Sequence, residues 1–206
     1  MFIAMGIKII SMLVAFSLFP NFSSQAQDLE GFTAERDAAS AFALKHLSDR
    51  DPVVRQHAAE VLAKFSAVEH LRLAEGYRLQ EKNERVRLAL DWALYRMGRT
   101  NALYGVAREL KSDGRRAQAV DYLSQLANPQ LLYVFFDRAD GKTLVGLLEV
   151  MANIGDADTL DFVKQFEASF LPHVAKAAKL ALSRITERLA QLSPDVLTRP
   201  REVKEN

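Results

Sequence analysis

The chain has 206 residues, 49% of them hydrophobic and 26% charged, which is ordinary globular material with room for one core or one stack of repeats. Its 27 basic and 26 acidic side chains leave a formal charge of +1, so no global field points to nucleic acid or to an anionic membrane. The absence of cysteine excludes disulfides, thiolate catalysis and Cys-ligated metal sites.

The N-terminal stretch MFIAMGIKIISMLVAFSLFPNFSSQAQ carries one positive side chain, Lys8, then an apolar run from Ile9 to Phe19, a breaker at Pro20, and small residues at Ser24 and Ala26. That order predicts a secretory signal over residues 1–26, cleaved after Ala26, and a mature periplasmic or secreted chain beginning at Gln27. The run is short for a spanning helix, which needs about 20 apolar residues. Only an uncleaved signal would tie the chain to a membrane. No cysteine follows the run, so a bacterial lipoprotein is excluded. Residues 27–32 read as a linker.

From residue 33 apolar residues recur at three and four, breakers separate short segments, and strand signals are nearly absent. The predicted helices alternate between two kinds. One kind covers roughly residues 33–48, 67–81, 100–111, 129–138 and 157–168. The other is set by a repeat. With Arg55 as anchor, Val54 precedes it, Ala58 follows at three, Val61 and Leu62 at six and seven, and Phe65 at ten. The offsets recur at Arg87 with Leu90, Ala93, Leu94 and Met97, and at Arg116 with Ala119, Tyr122, Leu123 and Leu126. They recur again at Leu144 with Leu147, Val150, Met151 and Ile154, and at Ala175 with Ala178, Ala181, Leu182 and Ile185. The anchors are 32, 29, 28 and 31 residues apart, and the offsets fall on one helix face. Leu62, Leu94, Leu123, Met151 and Leu182 are therefore expected to be buried between repeats.

Four residues before the first four anchors stand Asp51, Asn83, Ser112 and Asp140, side chains that cap the free amides of a helix start. Pro52 takes the first helical position, where a missing N–H costs nothing. The fifth repeat has Leu171 at the cap position and keeps the proline, Pro172, with Ser169 as an alternative cap. Five hairpins result. A single hairpin cannot bury its own apolar face, so the hairpins must stack. The segment 192–206 has two prolines and few apolar groups and reads as a flexible tail.

The stretch DPVVRQHAAEVLAKF, Asp51 to Phe65, resembles the second helix of a HEAT repeat, particularly the short HEAT-like type also found in phycobilisome lyases. The resemblance extends over residues 33–191 and is sharpest in the first repeat. It implies an all-α, right-handed α-solenoid of about five HEAT-like helical hairpins, which the N-terminal signal pattern would make an exported bacterial member of the family. It also implies a ladder of Asp and Arg between repeats, which only Arg55, Arg87 and Arg116 can supply.

No pattern for chemistry emerges. His46, His57, His70 and His173 are scattered, with no pair at i, i+3 or i+4. The run GDADTLD, Gly155 to Asp161, lacks the glycine and the closing glutamate of a calcium loop, so its acids read as complements to a helix start. DRADGKT, Asp137 to Thr143, has no phosphate cradle. The sequence predicts no enzyme, no cofactor and no metal site.

Three features suggest an interaction role. Leu88, Trp92, Tyr95, Arg96 and Arg99 lie opposite the core stripe of the second anchored helix, on the face expected to line the concave side as a protein-binding hot spot. Residues 72–116 carry 11 basic and 6 acidic side chains, whereas residues 117–170 carry 3 and 8, so a partner with an acidic segment would suit the basic middle. Finally LLYVFF, Leu131 to Phe136, exceeds one helix face; it is either enclosed in a bent stack or forms a homodimer or partner patch. The reading that follows is a non-enzymatic protein-binding or scaffold module of the bacterial envelope. Its rivals are a lyase or chaperone-like holder of a prosthetic group, suggested by the resemblance alone, and a structural subunit of an envelope complex. Nucleic acid is disfavoured by neutrality and export.

Overall fold

The computed structural model describes the backbone of residues 20–192 and the side chains of residues 33–191. The apolar run of the signal, up to Phe19, and the tail from Ser193 lie outside the described residues. The helices are α1 (Pro20–His46), α2 (Pro52–Phe65), α3 (Leu71–Gln80), α4 (Glu84–Arg96), α5 (Ala102–Arg108), α6 (Arg116–Leu123), α7 (Gly141–Ile154), α8 (Ala157–Lys164) and α9 (Pro172–Leu192). Short 3-10 segments occupy Val68–His70, Glu109–Lys111 and Pro129–Phe135. Among the described residues there is no strand, and no helix is long and apolar enough to cross a membrane. Residues 27–32, read as a linker, are helical within α1.

Side-chain caps start most of the anchored helices. Asp51 accepts from the Val53 amide at 2.8 Å, Asn83 from the Arg85 and Val86 amides at 3.0 and 3.2 Å, and Asp140 from the Thr143 amide at 2.8 Å. The bonds from Thr143 hold the Asp140 carboxyl below the usual carboxylate range. Ser112 departs from this scheme. Asp113 and Gly114 prolong the turn, α6 starts only at Arg116 without a side-chain cap, and Ser112 contributes its carbonyl to the Arg116 amide at 2.8 Å. At the last helix Ser169 Oγ accepts from the Leu171 amide at 3.3 Å.

Helix ends repeat as well as helix starts. Ser66 and Gly98 have φ of 48° and 101°, and the amides just beyond them, Ala67 and Arg99, bond back to the Leu62 and Leu94 carbonyls at 3.1 and 2.9 Å. Gly98 adopts that left-handed turn without a steric cost. The two residues are 32 apart, the spacing of Arg55 and Arg87, so the repeat includes the way the chain leaves each helix.

Each remaining element packs on the anchored helix that follows it: α1 on α2, α3 on α4, α5 on α6, Pro129–Phe135 on α7, and α8 on α9. The anchored helices also touch in chain order, α2 on α4, α4 on α6, α6 on α7 and α7 on α9. Ala58, Ala59, Ala63, Ala89 and Ala93 are all buried, and their small size lets α2 and α4 approach closely. Leu62, Leu94, Leu123 and Met151 are buried as the register requires. Leu182 is only half-buried; α9 closes the row with α7 and α8 behind it, and Ala181 and Ile185 supply its buried face instead. Arg188 completes that contact by donating to the Ala152 and Gly155 carbonyls at the end of α7.

Charged links join neighbouring hairpins, but not through the cap aspartates. Arg55 makes a two-pronged contact with Glu81 at 2.7 and 2.9 Å, and Arg116 reaches Glu149 at 2.7 Å. The Arg55 guanidinium holds the Glu81 carboxyl below its ordinary value. Arg87 has no ion-pair partner among the described residues.

Candidate interaction surface

The expected hot spot on α4 is mostly interior. Leu88 and Trp92 are 1% and 2% exposed, Tyr95 and Arg96 are half-buried, and only Arg99 is open to solvent. Trp92 stacks on Tyr122 of α6, with ring centroids 5.8 Å apart and planes 6° from parallel, and on Tyr95 at 5.5 Å. The Arg96 guanidinium lies 5.6 Å from the Trp92 ring. Above the indole, the Tyr122 phenol donates to Glu60 of α2 at 2.6 Å and accepts from Gln118 at 2.8 Å, while Gln56 donates to Glu60 at 2.9 Å. Burial pushes the Tyr122 phenol well above the ordinary tyrosine range. Side chains from α2 and α6 therefore meet across α4 and shut the face that the helix alone would leave open. Arg99 turns aside to pair with Glu75 of α3 at 2.5 Å. Trp92, Tyr95 and Arg96 thus belong to a structural cluster with Tyr122, Leu88 is buried, and of the five residues only Arg99 is open to solvent.

An open surface lies instead between α5 and the Pro129–Phe135 segment. The apolar run LLYVFF winds as a 3-10 helix, in which residues three apart share a face. Leu132 and Phe136 are buried, and Tyr133 and Phe136 pack on Phe162 at 3.8 and 4.9 Å between ring centroids. Leu131 and Val134 face outward, 47% and 57% exposed. Opposite them stands Tyr104 of α5, 58% exposed and edge-on to Phe135 at 4.8 Å. Two adjoining clefts of about 490 and 310 Å³ share Tyr104, Val134 and Phe135 in their walls.

The seating of α5 depends on Gly105. A Cβ there would come within 2.7 Å of Asp91 Oδ2, and Asp91 is itself fixed by Arg78 at 2.5 and 2.9 Å. With Gly105 pressed against α4, Tyr104 looks outward, and Arg108 stands at the border, lining both the larger cleft and another of about 150 Å³ formed with Glu84, Leu88 and Asp91 of α4. Arg108, Lys111 and Arg138 rim the larger cleft. Its lining contains one carboxylate, Asp140, which is engaged in capping α7 and lies in the field of Lys111. Arg108 stands 3.8 Å from Glu109, whose carboxylate Arg115 already holds at 2.7 Å. Within residues 72–116, Arg78, Arg99 and Arg115 pair with acids of the same segment, Asp91, Glu75, Glu84 and Glu109, and Arg116 pairs with Glu149 outside it, so the basic excess of the segment persists. Part of that excess, Arg108 and Lys111, lies on the cleft rim.

In the sequence, Leu131–Phe136 and the basic middle stand as separate features, and nothing in their spacing brings them together. Tyr104, Arg108 and Lys111 share a helical face at i, i+4 and i+7, which was the available signal. Among the described residues no group of three or more histidine, aspartate or glutamate side chains is placed to hold a metal. No protein-family model matches the chain, and no curated protein matches it either.

Proposed function

We propose that the protein is an exported, non-enzymatic binding or scaffold module of the bacterial envelope, a HEAT-like array that engages a protein partner through the cleft between α5 and the Pro129–Phe135 segment. The observation that carries this reading is the exposure of Tyr104, Leu131 and Val134 beside three cations, Arg108, Lys111 and Arg138, of which only Arg108 has an ion-pair contact among the described residues, a 3.8 Å approach to the Glu109 carboxylate that Arg115 already holds. Apolar side chains that could have been covered by a neighbouring hairpin are instead left at the surface with a polar rim, the composition of a recognition site. The array reading draws its support from the repeated cap, core and helix-end positions and from the chain-order contacts of the anchored helices. Export rests on the N-terminal pattern ending at Ala26.

The test is recovery of a bound protein from envelope extract by tagged wild-type protein and by Val134→Asp, with N-terminal sequencing of the exported product. A product that begins at Gln27, and a specific partner retained by the wild type and lost by the equally stable variant, is the expected result. Equal capture by both would remove the cleft from the proposal, and an intact Met1 on a membrane-bound product would remove export.

A further inference from the structure

We propose that the occupant of this cleft is the Glu167–Leu171 loop of a second copy of the chain, so that two molecules exchange Phe170 side chains across a two-fold axis. The inference rests on the cleft being a binding surface, and it adds the identity of the partner. Phe170, in the loop between α8 and α9, is 103% exposed, more open than any other large apolar side chain among the described residues. Other large apolar side chains are exposed as well, Leu79 and Phe42 among them, but each keeps part of its surface covered, and Phe170 does not. The chain leading up to it is acidic in sequence, with Asp156, Asp158, Asp161 and Glu167 against one lysine, Lys164, whereas His173, Lys176 and Lys179 follow it. The cleft presents the complementary combination, aromatic walls from Tyr104 and Phe135 and a rim of Arg108, Lys111 and Arg138.

Placement favours reciprocal exchange. A Cβ on Gly141 would lie 3.1 Å from Leu171 Cδ1 and 2.7 Å from His173 Nε2, so the root of the Phe170 loop rests on Gly141. Gly141 directly follows Asp140 and its neighbours Arg138 and Ala139, which line the cleft. Loop and cleft thus occupy one edge of the molecule. A two-fold dimer needs the two complementary patches on the same surface, because each contact must be made twice. The same acidic flank turns Phe170 away from an anionic bilayer, which would repel Asp158, Asp161 and Glu167.

Sedimentation equilibrium of the purified protein tests this. A dimer at micromolar concentration is expected, with Phe170→Ser and Val134→Asp each weakening it at least about tenfold while leaving monomer melting unchanged. Arg138→Glu should weaken it too, and adding Glu167→Arg should restore it, since the swap re-forms the rim pair with reversed sign. A protein that stays monomeric to about 100 µM, or a dimer indifferent to Phe170→Ser, overturns the proposal. A labelled synthetic peptide of residues 157–172 then separates the two readings. Binding of that peptide to a monomeric protein, lost in Val134→Asp, keeps the cleft as a binding surface and removes the second copy; no binding removes both. Phe170-dependent sedimentation of a monomer with phosphatidylglycerol vesicles would assign the loop to a lipid surface, and this also overturns the proposal.

Discussion

Two regions of this molecule place an aromatic ring beside an arginine in the middle of the chain, and they end in opposite states. Trp92 with Arg96 is closed over, whereas Tyr104 with Arg108 is open. The helices differ less than their neighbours do. α4 is flanked on both sides by anchored helices, and Glu60 and Tyr122 are long enough to meet above the indole. α5 looks toward a 3-10 segment whose three-residue winding turns Leu131 and Val134 outward and leaves Tyr104 more than half exposed beside Phe135. Exposure of a helix face is therefore decided by what the adjacent elements can extend over it.

The contrast is breakable first at Trp92. Trp92→Ala should destabilise the fold by about 3–5 kcal/mol in urea unfolding, the range for removing a buried aromatic ring. A loss below about 1 kcal/mol would mean that the indole is not enclosed and that the two regions are alike. Tyr122→Phe sharpens the comparison by removing the closing bonds while keeping the ring, at a cost of about 1 kcal/mol. It carries a pH signature. The Tyr122 phenol is raised above its ordinary value of 10.0, so in alkali the unfolded chain releases this proton before the folded one does. The stabilising contribution is complete below that value and declines as pH rises through and beyond it. Wild type minus Tyr122→Phe should accordingly be constant near pH 8 and shrink above about pH 10 in denaturant titrations. The smallest effect belongs to the open region: Val134→Ser should change stability by less than about 0.5 kcal/mol, and a larger change would show that the cleft wall is part of the core.

The repeat register was legible because Val54, Ala58 and Leu62 and their counterparts obey helix periodicity, which survives without knowledge of the neighbours. The caps Asp51, Asn83 and Asp140 were legible for the same local reason. Ser112 was not, since three turn residues, Asp113, Gly114 and Arg115, separate it from α6, and nothing in the cap position itself records them. Trp92 was misplaced because it stands opposite the core stripe of its own helix, and only the approach of Tyr122 and Glu60 from α6 and α2 reveals a second buried side. The excess in LLYVFF was visible, but its division into buried and open faces follows from a three-residue winding that an α-helical reading does not contain. Tyr104 and Phe135 belong to different hairpins, so their meeting is a tertiary fact.

The bond from Tyr122 to Glu60 spans 62 positions in the chain, while Arg55–Glu81 and Arg116–Glu149 span 26 and 33. In a simple array each unit is secured by the next, and order can spread from either end one unit at a time. Here the middle unit waits for a residue two units downstream of the first. A chain that emerges from its N-terminus presents α2 and α4 together with Trp92 still uncovered, and it holds that oily surface open until α6 has been delivered. The clasp thus sets a minimum length for covering the indole: three hairpins, not two, form the smallest nascent piece in which Trp92 is enclosed.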